Sequence, residues 1–489
     1  MSLYLGLDIG STSVKALLKD EKGVTVAVGR CAYPTSYAPG GVVTQDARDW
    51  WSASVKAVRE ASAGREKDIA AMGLSSQGGS ILAATDEGEP LNAASSWMDA
   101  TAVNEAEEIR NTLGAETVYR ACGWGMTPSA AAAKLLHMRR REPEIFRRAG
   151  VFLTTQEYIM KKLTGFFVTD PASASIARLF DIEKGKYNDD MLCFLGTSEK
   201  RLPTISPAGE FIGTLKGSAA EELGLPTGVK VMNGTHDQYC ASLGAGVTES
   251  GELLIASGTA WVLFSVTGRP LFTSSHISPC LHPAGGYGAM ASLGGIGSEV
   301  DRFASAKGDL PAELDSAAKK VIPDRAVCPC PRGKGFLPRD EAFDLLSEKE
   351  KAKSTDRVKT WRALLEGAAF EARRGAKEFK LPKGFKITMS GGAVYSRLWV
   401  RIVSETFGRA ISVTKEPDAP ALGAAMLAAV GDRAFESLKE AAKTFSSREE
   451  LLPPSPDAVF AMNERFNDYL KQSGKNENDL SEDQHNINR

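Results

Sequence analysis

The chain has 489 residues, more than one compact core normally holds, so two or three domains are expected. Hydrophobic residues make up 43% and charged residues 25%, the ordinary composition of a soluble globular protein. A net charge of -2 argues against a nucleic acid or membrane surface held by bulk charge, and no apolar run is long enough to span a bilayer. Leu3–Asp8, Val14–Lys19 and Val24–Cys31 read as three successive short strands, with a turn at Asp20-Glu21-Lys22-Gly23. The first strand ends at an acid, and Gly10-Ser11-Thr12-Ser13 then forms a small loop. Such a loop can wrap a phosphate while Asp8 holds a metal ion or its waters; the plainer alternative is a hairpin with one solvated Asp. Gln45–Glu60 reads as a helix with Asp46 near its start, and Asp68–Leu74 as the next strand, ending in Ser75-Ser76-Gln77-Gly78-Gly79. Three strands, a helix and a further strand point to an α/β domain with a mixed sheet.

Residues from about 100 to 200 are helix-rich, with Ala130–Arg141 and Thr155–Leu163 the clearest helices. Val229–Met232 is an apolar strand followed by Asn233-Gly234-Thr235-His236-Asp237-Gln238. Asp237 there can act as a base or, alternatively, cap a helix over Gln238–Leu243. His236 beside it reads as a structural histidine rather than a catalytic one. The opening pattern then returns: Glu252–Ala256 is a strand, Ser257-Gly258-Thr259 a small loop and Ala260–Val266 a strand. A long helix at Arg357–Phe379, a strand at Phe385–Met389 and the loop Ser390-Gly391-Gly392-Ala393 follow. Tyr395–Phe407 (helix), Ala410–Val413 (strand) and Ala421–Val430 (helix) complete the second half, which is a weak internal duplication of the first. Two similar α/β domains facing one cleft would put both small loops at its base. Beyond Gly431 the chain reads as polar helix to about Lys471, and Gln472–Arg489 as a frayed tail.

The seven cysteines are odd in number and dispersed, as expected of reduced thiols in a cytoplasmic protein. Cys328-Pro329-Cys330 is the only close pair and lacks the second cluster a zinc site needs. The N-terminus enters a strand directly, so no secretory leader is expected. General phosphate, zinc and nucleophile-elbow motifs are absent. Trp97-Met98-Asp99 lies near a strand end; Trp97 reads either as core or as an apolar wall for a sugar, and Asp99 and Gln77 as groups able to bond hydroxyls.

Together these segments resemble the FGGY carbohydrate kinases, most closely their xylulokinase-like branch, from roughly Leu3 to Gly431. The segments in order are Asp8–Lys15, Gln45-Asp46 with Trp50-Trp51, Gly73–Gly78, Trp97-Met98-Asp99 and Gly234–Gln238. Leu243–Gly246 leading to Ser257-Gly258-Thr259, then Arg362–Gly367, Ser390–Ala393 and Leu422–Ala425, continue the series. The resemblance implies two ribonuclease H-like domains of the actin and hexokinase type around an interdomain cleft. It implies domains at 1–246 (sugar side, with the base) and 247–435 (nucleotide side), and a helix and polar tail at 436–489. It implies ATP and Mg2+ as cofactors, and transfer of the γ-phosphoryl group to a hydroxyl of a small sugar or polyol, with a xylulose-like ketose favoured. Asp237 would be the base and Asp8 its companion, both beside the metal. Gly10, Ser11, Thr12, Ser13, Gly258, Thr259, Gly297, Gly391 and Gly392 would bind the nucleotide. Gln77, Gly78, Trp97, Asp99 and Asp237 would face the substrate. By analogy alone the assembly is a homodimer.

The chain departs from the family in the sugar-contacting region. Gly78-Gly79 follow Gln77 where xylulokinases often carry Met-His, and Thr101 replaces the Arg of Trp-x-Asp-x-Arg. The Gly-Glu-Arg-x-Pro segment is not recognisable after Gly335-Phe336-Leu337-Pro338. A kinase of erythritol, glycerol or a modified ketose is therefore an alternative. A non-catalytic sugar or nucleotide sensor, and an actin- or chaperone-like ATPase, are alternatives from other classes. Lys15, on the strand leaving the first loop, is left unassigned between phosphate and water.

Overall fold

A computed structural model describes residues 2–273, 277–306, 308–323 and 357–472. The sequence segments Cys328-Pro329-Cys330 and Gly335–Pro338 and the tail beyond Gln472 lie outside these residues. The first half begins with β1 (Leu3–Ile9), β2 (Ser13–Asp20) and β3 (Thr25–Ala32), followed by helix α1 (Ala47–Ser62) and β4 (Ile69–Ser76). Every residue of β1 is buried, which is why its sequence is nearly continuous in apolar residues rather than alternating. Gln45, expected to open the helix, instead ends the short strand Val42–Gln45. Asp46 then caps α1 by accepting from the Arg48 N–H at 2.9 Å. The helix-rich stretch follows and includes α2 (Ala131–Arg141). The half closes with β5 (Phe211–Thr214), β6 (Lys230–Met232), β7 (Thr235–His236) and α3 (Asp237–Gly244).

The second half contains β8 (Glu252–Ser257), β9 (Trp261–Thr267), β10 (Ser278–Leu281), β11 (Tyr287–Gly294) and α4 (Ile296–Ser305). After the segment left undescribed come α5 (Arg357–Ala376), β12 (Lys386–Gly391), α6 (Arg397–Phe407), β13 (Ser412–Thr414), α7 (Ala419–Gly431), β14 (Arg448–Glu450) and α8 (Pro456–Gln472).

The first sheet runs β5-β6-β4-β1-β2-β3 and the second β10-β11-β9-β8-β12-β13-β14. In the first, β1 pairs antiparallel with β2 and parallel with β4. In the second, β8 pairs antiparallel with β9 and parallel with β12. From the third strand to the antiparallel edge, β3-β2-β1-β4-β6-β5 matches β11-β9-β8-β12-β13-β14 position for position, with β10 added outside. The internal duplication is thus written in topology, and each hairpin loop lies at the corresponding place in its own sheet.

Helix α7 joins the halves. Its sequence has no polar face, and ten of its thirteen residues are buried. It packs against β1, β4 and α3, sharing a core with Tyr4, Leu17, Ala71, Met232, Cys240 and Leu243 of the first half. The approach is so close that a Cβ at Gly6 or Gly73 would lie 1.9 or 2.2 Å from the Ala421 or Ala424 carbonyl oxygen. A residue from late in the chain therefore braces the first sheet directly beneath the Asp8 loop. Among the described residues the cysteines form no disulfide, and no helix is long and apolar enough to cross a membrane.

Candidate active site

Asp8 lies near the C-terminal end of β1, opposite Lys15 of β2 and Ser75 of β4. Its carboxylate is almost fully buried, and Oδ1 accepts from the Ser75 hydroxyl at 2.7 Å. Burial pushes its pKa up to about 7; Lys15 and the Ser75 bond oppose the rise, while the charges of Asp237 and Asp418 add to it. Lys15 pairs with Asp418, the residue preceding α7, at 3.3 Å, and Arg30 pairs with the other carboxylate oxygen. The unassigned lysine therefore belongs to the junction between the first sheet and α7.

The Gly10–Ser13 loop has a one-sided polarity. Gly10 carbonyl oxygen accepts from the Tyr33 hydroxyl, Ser11 oxygen from Gln45 Nε2 at 2.8 Å, Thr12 oxygen from the Tyr33 N–H at 3.1 Å, and Ser13 oxygen from the Gly10 N–H at 3.0 Å. The backbone N–H groups of Ser11 and Thr12 have no acceptor among the described residues. With every carbonyl tied back and two donors open, the loop is able to receive an anion.

Asp237 opens α3 as its first residue, and His236 occupies the cap position, so the helix-cap reading of Asp237 does not hold. About a quarter of the side chain is open to solvent (26%), yet protein atoms crowd the carboxylate and Oδ1 has no hydrogen-bond partner. Burial pushes its pKa up to about 7, with the Gln238 N–H groups and Lys15 pulling the other way. His236 Nε2 lies 3.2 Å from Asp237 Oδ1, but burial drives the imidazole down to about 4, so the ring is neutral. Two carboxylates from different elements thus share one charge-deficient corner. Among the described residues no cluster of three or more His, Cys, Asp or Glu forms a metal cage. Two hard oxygen ligands, one with an unsatisfied oxygen, do fit Mg2+, which retains waters and takes its other ligands from phosphate.

Gln77 is buried just beyond β4, where its amide nitrogen donates to Gln45 Oε1 at 2.8 Å and its Oε1 has no partner. Gly78 has no room for a side chain: a Cβ there would lie 2.5 Å from His236 Cδ2 and 2.8 Å from Ile176. The Gly-Gly departure from Met-His therefore has a counterpart, because the His236 ring fills that space. Trp97 is 40% exposed and its indole N–H donates to Ser11 Oγ at 2.9 Å, so it is a wall beside the loop rather than core. Asp99 is buried and committed to its own loop. It accepts from the Val43 N–H at 2.9 Å and from the Thr101 N–H and hydroxyl at 3.0 and 2.6 Å. Thr101 thus closes on Asp99 where the family places an arginine.

Lys134 of α2 was not singled out in the sequence. It is buried, and its ammonium donates to the Ser96 carbonyl and, at 3.4 Å, to the Gly79 carbonyl. Burial lowers its pKa to about 7 against the pull of Asp99. A lysine inside the run Ala131-Ala132-Ala133-Lys134-Leu135-Leu136 was the available signal, since a cation on an apolar face needs a partner. Lys134 ties together the two loops that carry Gly78 and Trp97.

The remaining predicted residues gather at the second hairpin. Ser257 of β8 lies opposite Gly391 of β12, and its hydroxyl donates to the Ser390 carbonyl at 2.6 Å. Gly391 has φ +91°, and a Cβ there would lie 2.7 Å from Ser257 backbone. Gly297, in the first turn of α4, packs on the Gly258 carbonyl oxygen, which would lie 2.1 Å from a Cβ at 297. Gly258 and Thr259 are exposed, and Gly392 follows at the surface. Gly258, Thr259, Gly297, Gly391 and Gly392 are therefore one cluster. Asp8, Asp237, Gly10–Ser13, Gln77, Gly78, Trp97 and Asp99 form another. Among the described residues no hydrogen bond joins the two.

Two duplicated α/β halves, each with a small hairpin loop, thus bring the Asp8 and Asp237 carboxylates together beside the first loop. Family models for the N-terminal and C-terminal domains of the FGGY carbohydrate kinases match residues 3–244 and 291–431. The chain belongs to this family and is a carbohydrate kinase. It is 22% identical to a xylulose kinase of Staphylococcus xylosus over 479 residues, covering 96% of this chain and 99% of that one. It is 29% identical to a glycerol kinase of Thermus brockianus over 482 residues, covering 94% and 95%. The fold is shared with the crystal structure of a gluconate kinase from Lactobacillus acidophilus, with a TM-score of 0.86, 22% identity and 99% of both chains covered.

Proposed function

We propose that the protein transfers the γ-phosphoryl group of ATP, with Mg2+, to a hydroxyl of a small ketose or linear polyol. A xylulose-like ketose is favoured by the xylulose kinases among the relatives; glycerol or another polyol is the alternative, supported by the Thermus brockianus relative. The observation that supports the mechanism best is the corner shared by Asp8 and Asp237, both raised to about 7 beside a loop whose Ser11 and Thr12 N–H groups have no acceptor among the described residues.

In this reading Asp237 orients the acceptor hydroxyl and takes its proton late, while the hydroxyl oxygen bonds to phosphorus and the bond to the ADP oxygen breaks. An alcohol is too weak an acid to ionise first, and a loose transition state asks little of the base beyond position. Asp8 and Asp237 would hold the metal, which supplies charge neutralisation of the reacting phosphoryl group. The Ser11 and Thr12 N–H groups and the Gly258-Thr259 loop would hold phosphate oxygens without a lysine-bearing P-loop. Gly297, Gly391 and Gly392 would lie along the nucleotide, where added side chains would obstruct it. Trp97 would flank the sugar, Gln77 would present its unsatisfied oxygen, and Asp99 with Lys134 would hold the pocket loops in shape.

Residues 1–246 would serve the sugar side and 247–435 the nucleotide side, with α7 bracing the first sheet, and 436–489 would complete the C-terminal end. A panel of pentuloses, hexuloses and polyols, read by ADP release with Mg2+ present and absent, tests the proposal. Stimulation by a ketose and dependence on Mg2+ are expected. ADP release that no sugar or polyol stimulates would overturn it.

A further inference from the structure

A cavity of about 550 Å³ opens in the second half, away from the residues described above. Its walls come from the ends of α5, α6 and α8 and from the segment entering β12. Arg373, Lys377, Lys380 and Arg409 line it, and no acidic side chain does. Arg409 lies over the Phe385 ring at 4.0 Å, its Nε donates to the Phe407 carbonyl at 3.4 Å and its Nη1 to the Phe385 carbonyl at 2.5 Å. Its second terminal nitrogen has no acceptor among the described residues, nor has the Lys380 ammonium. Lys380 is held in a left-handed conformation (φ 49°) as the chain turns out of the helical segment. Arg373 is already tied to the Thr406 carbonyl and the Asn463 side chain, and both Arg373 and Lys377 lie over the Phe466 ring, so Lys380 and the outer edge of Arg409 are the donors left for a ligand. A guanidinium with a free edge beside an ammonium is suited to phosphate oxygens.

We infer that this cavity is a second ligand site, for a phosphate group carried by a small molecule. Its volume falls in the range of small-molecule pockets and exceeds what a bare ion fills. The site lies at the opposite end of β12 from Gly391, so the six residues of that strand separate it from the nucleotide cluster by about 17–20 Å. It is thus independent of the chemistry proposed for the cleft.

The test is calorimetric titration of the full chain with the nucleotide side of its cleft saturated by ADP and Mg2+ and the sugar side by xylulose. Glucose 6-phosphate and inorganic phosphate are the probes, and sulfate is the control. Binding of either phosphate probe in the filled-cleft protein is expected, with at least a tenfold loss of affinity in Lys380→Gln/Arg409→Gln. Lys380→Gln alone, at an exposed position that keeps the Arg409 ties, is expected to lose at least threefold with basal ADP release unchanged. Tighter binding of the ester than of inorganic phosphate is expected; equal binding of the two would overturn the inference that the phosphate is carried by a small molecule. Loss of binding when the cleft is filled, equal affinity in wild type and both variants, or equal binding of sulfate as an adventitious ion only, would overturn the inference.

Discussion

Replacing Asp237 by Asn separates the cost of burying its charge from the use of that charge. The carboxyl is raised from 3.8 to about 7 by burial. Each pKa unit is worth about 1.4 kcal/mol, so the ionised form is disfavoured in the fold by at most about 4 kcal/mol. A quarter of the side chain meets solvent (26%), and screening there reduces the figure to on the order of 2 kcal/mol. The sign follows from linkage. Between the unfolded value near 4 and the folded value near 7, the folded state holds a proton that the unfolded chain has released, so stability falls as pH rises across that window and stays reduced above it. Asn cannot ionise. Asp237→Asn should therefore melt like the parent near pH 4 and progressively higher as pH rises, by about 2 °C at pH 8 for a chain of this length. Relief of repulsion on Asp8 acts in the same direction. Turnover should drop by about 10²–10⁴-fold, the usual contribution of a general base. The assays are thermal unfolding between pH 4.5 and 8.5 without metal or nucleotide, and coupled ADP release. A melting difference independent of pH, or a variant less stable at pH 8, would refute the burial reasoning; near-parental turnover would refute the base.

Asp8→Asn should lower turnover by at least about 10²-fold and raise the Mg2+ concentration needed for half-activity; an unchanged metal titration would count against the Asp8 assignment. Gly391→Ala forces a Cβ into Ser257 backbone at φ +91°, a strain of about 1–3 kcal/mol, and should weaken binding of a non-hydrolysable ATP analogue about tenfold with the sugar KM unchanged. Gly78→Ala crowds His236 and Ile176 and should raise the sugar KM several-fold while the ATP KM stays as in the parent, both read in steady-state kinetics.

The parts legible in sequence are those whose physics is local. A strand that ends at an acid before Gly10-Ser11-Thr12-Ser13 shows its chemistry in the eleven residues Leu3–Ser13, and the same rhythm around Ser257–Thr259 foreshadows the duplicated sheets. What escaped the sequence depends on neighbours far along the chain. The Ala419–Gly431 helix is apolar all round, which says that it is buried on every side, but not that it lies on β1 and β4 of the other half. Asp99 reads as an acid free to meet a hydroxyl, yet Val43 and Thr101 already occupy it. Gly78 reads as a lost side chain until His236 is found in its place. Lys134 reads as one more helical lysine until its carbonyl partners appear.

The same contrast separates the groups that hold the fold from those that would work on a substrate. Asp99, Lys134, Asp418 and the loop carbonyls all find partners within the protein, as a buried polar group must if it is not to cost stability. Asp8 is buried with the part-exposed Asp237 acting on it as a like charge, Asp237 Oδ1 and Gln77 Oε1 are unsatisfied, and the Ser11 and Thr12 N–H groups have no acceptor among the described residues. The like charges and the unsatisfied buried oxygens are destabilising in isolation, the N–H groups belong to a loop that faces solvent, and all of them sit around that loop. A metal ion and phosphate oxygens would relieve the first and last of these costs together, and a sugar hydroxyl the others. The local misfit is therefore complementary to the proposed substrates, which is where departures from internal consistency are expected to concentrate.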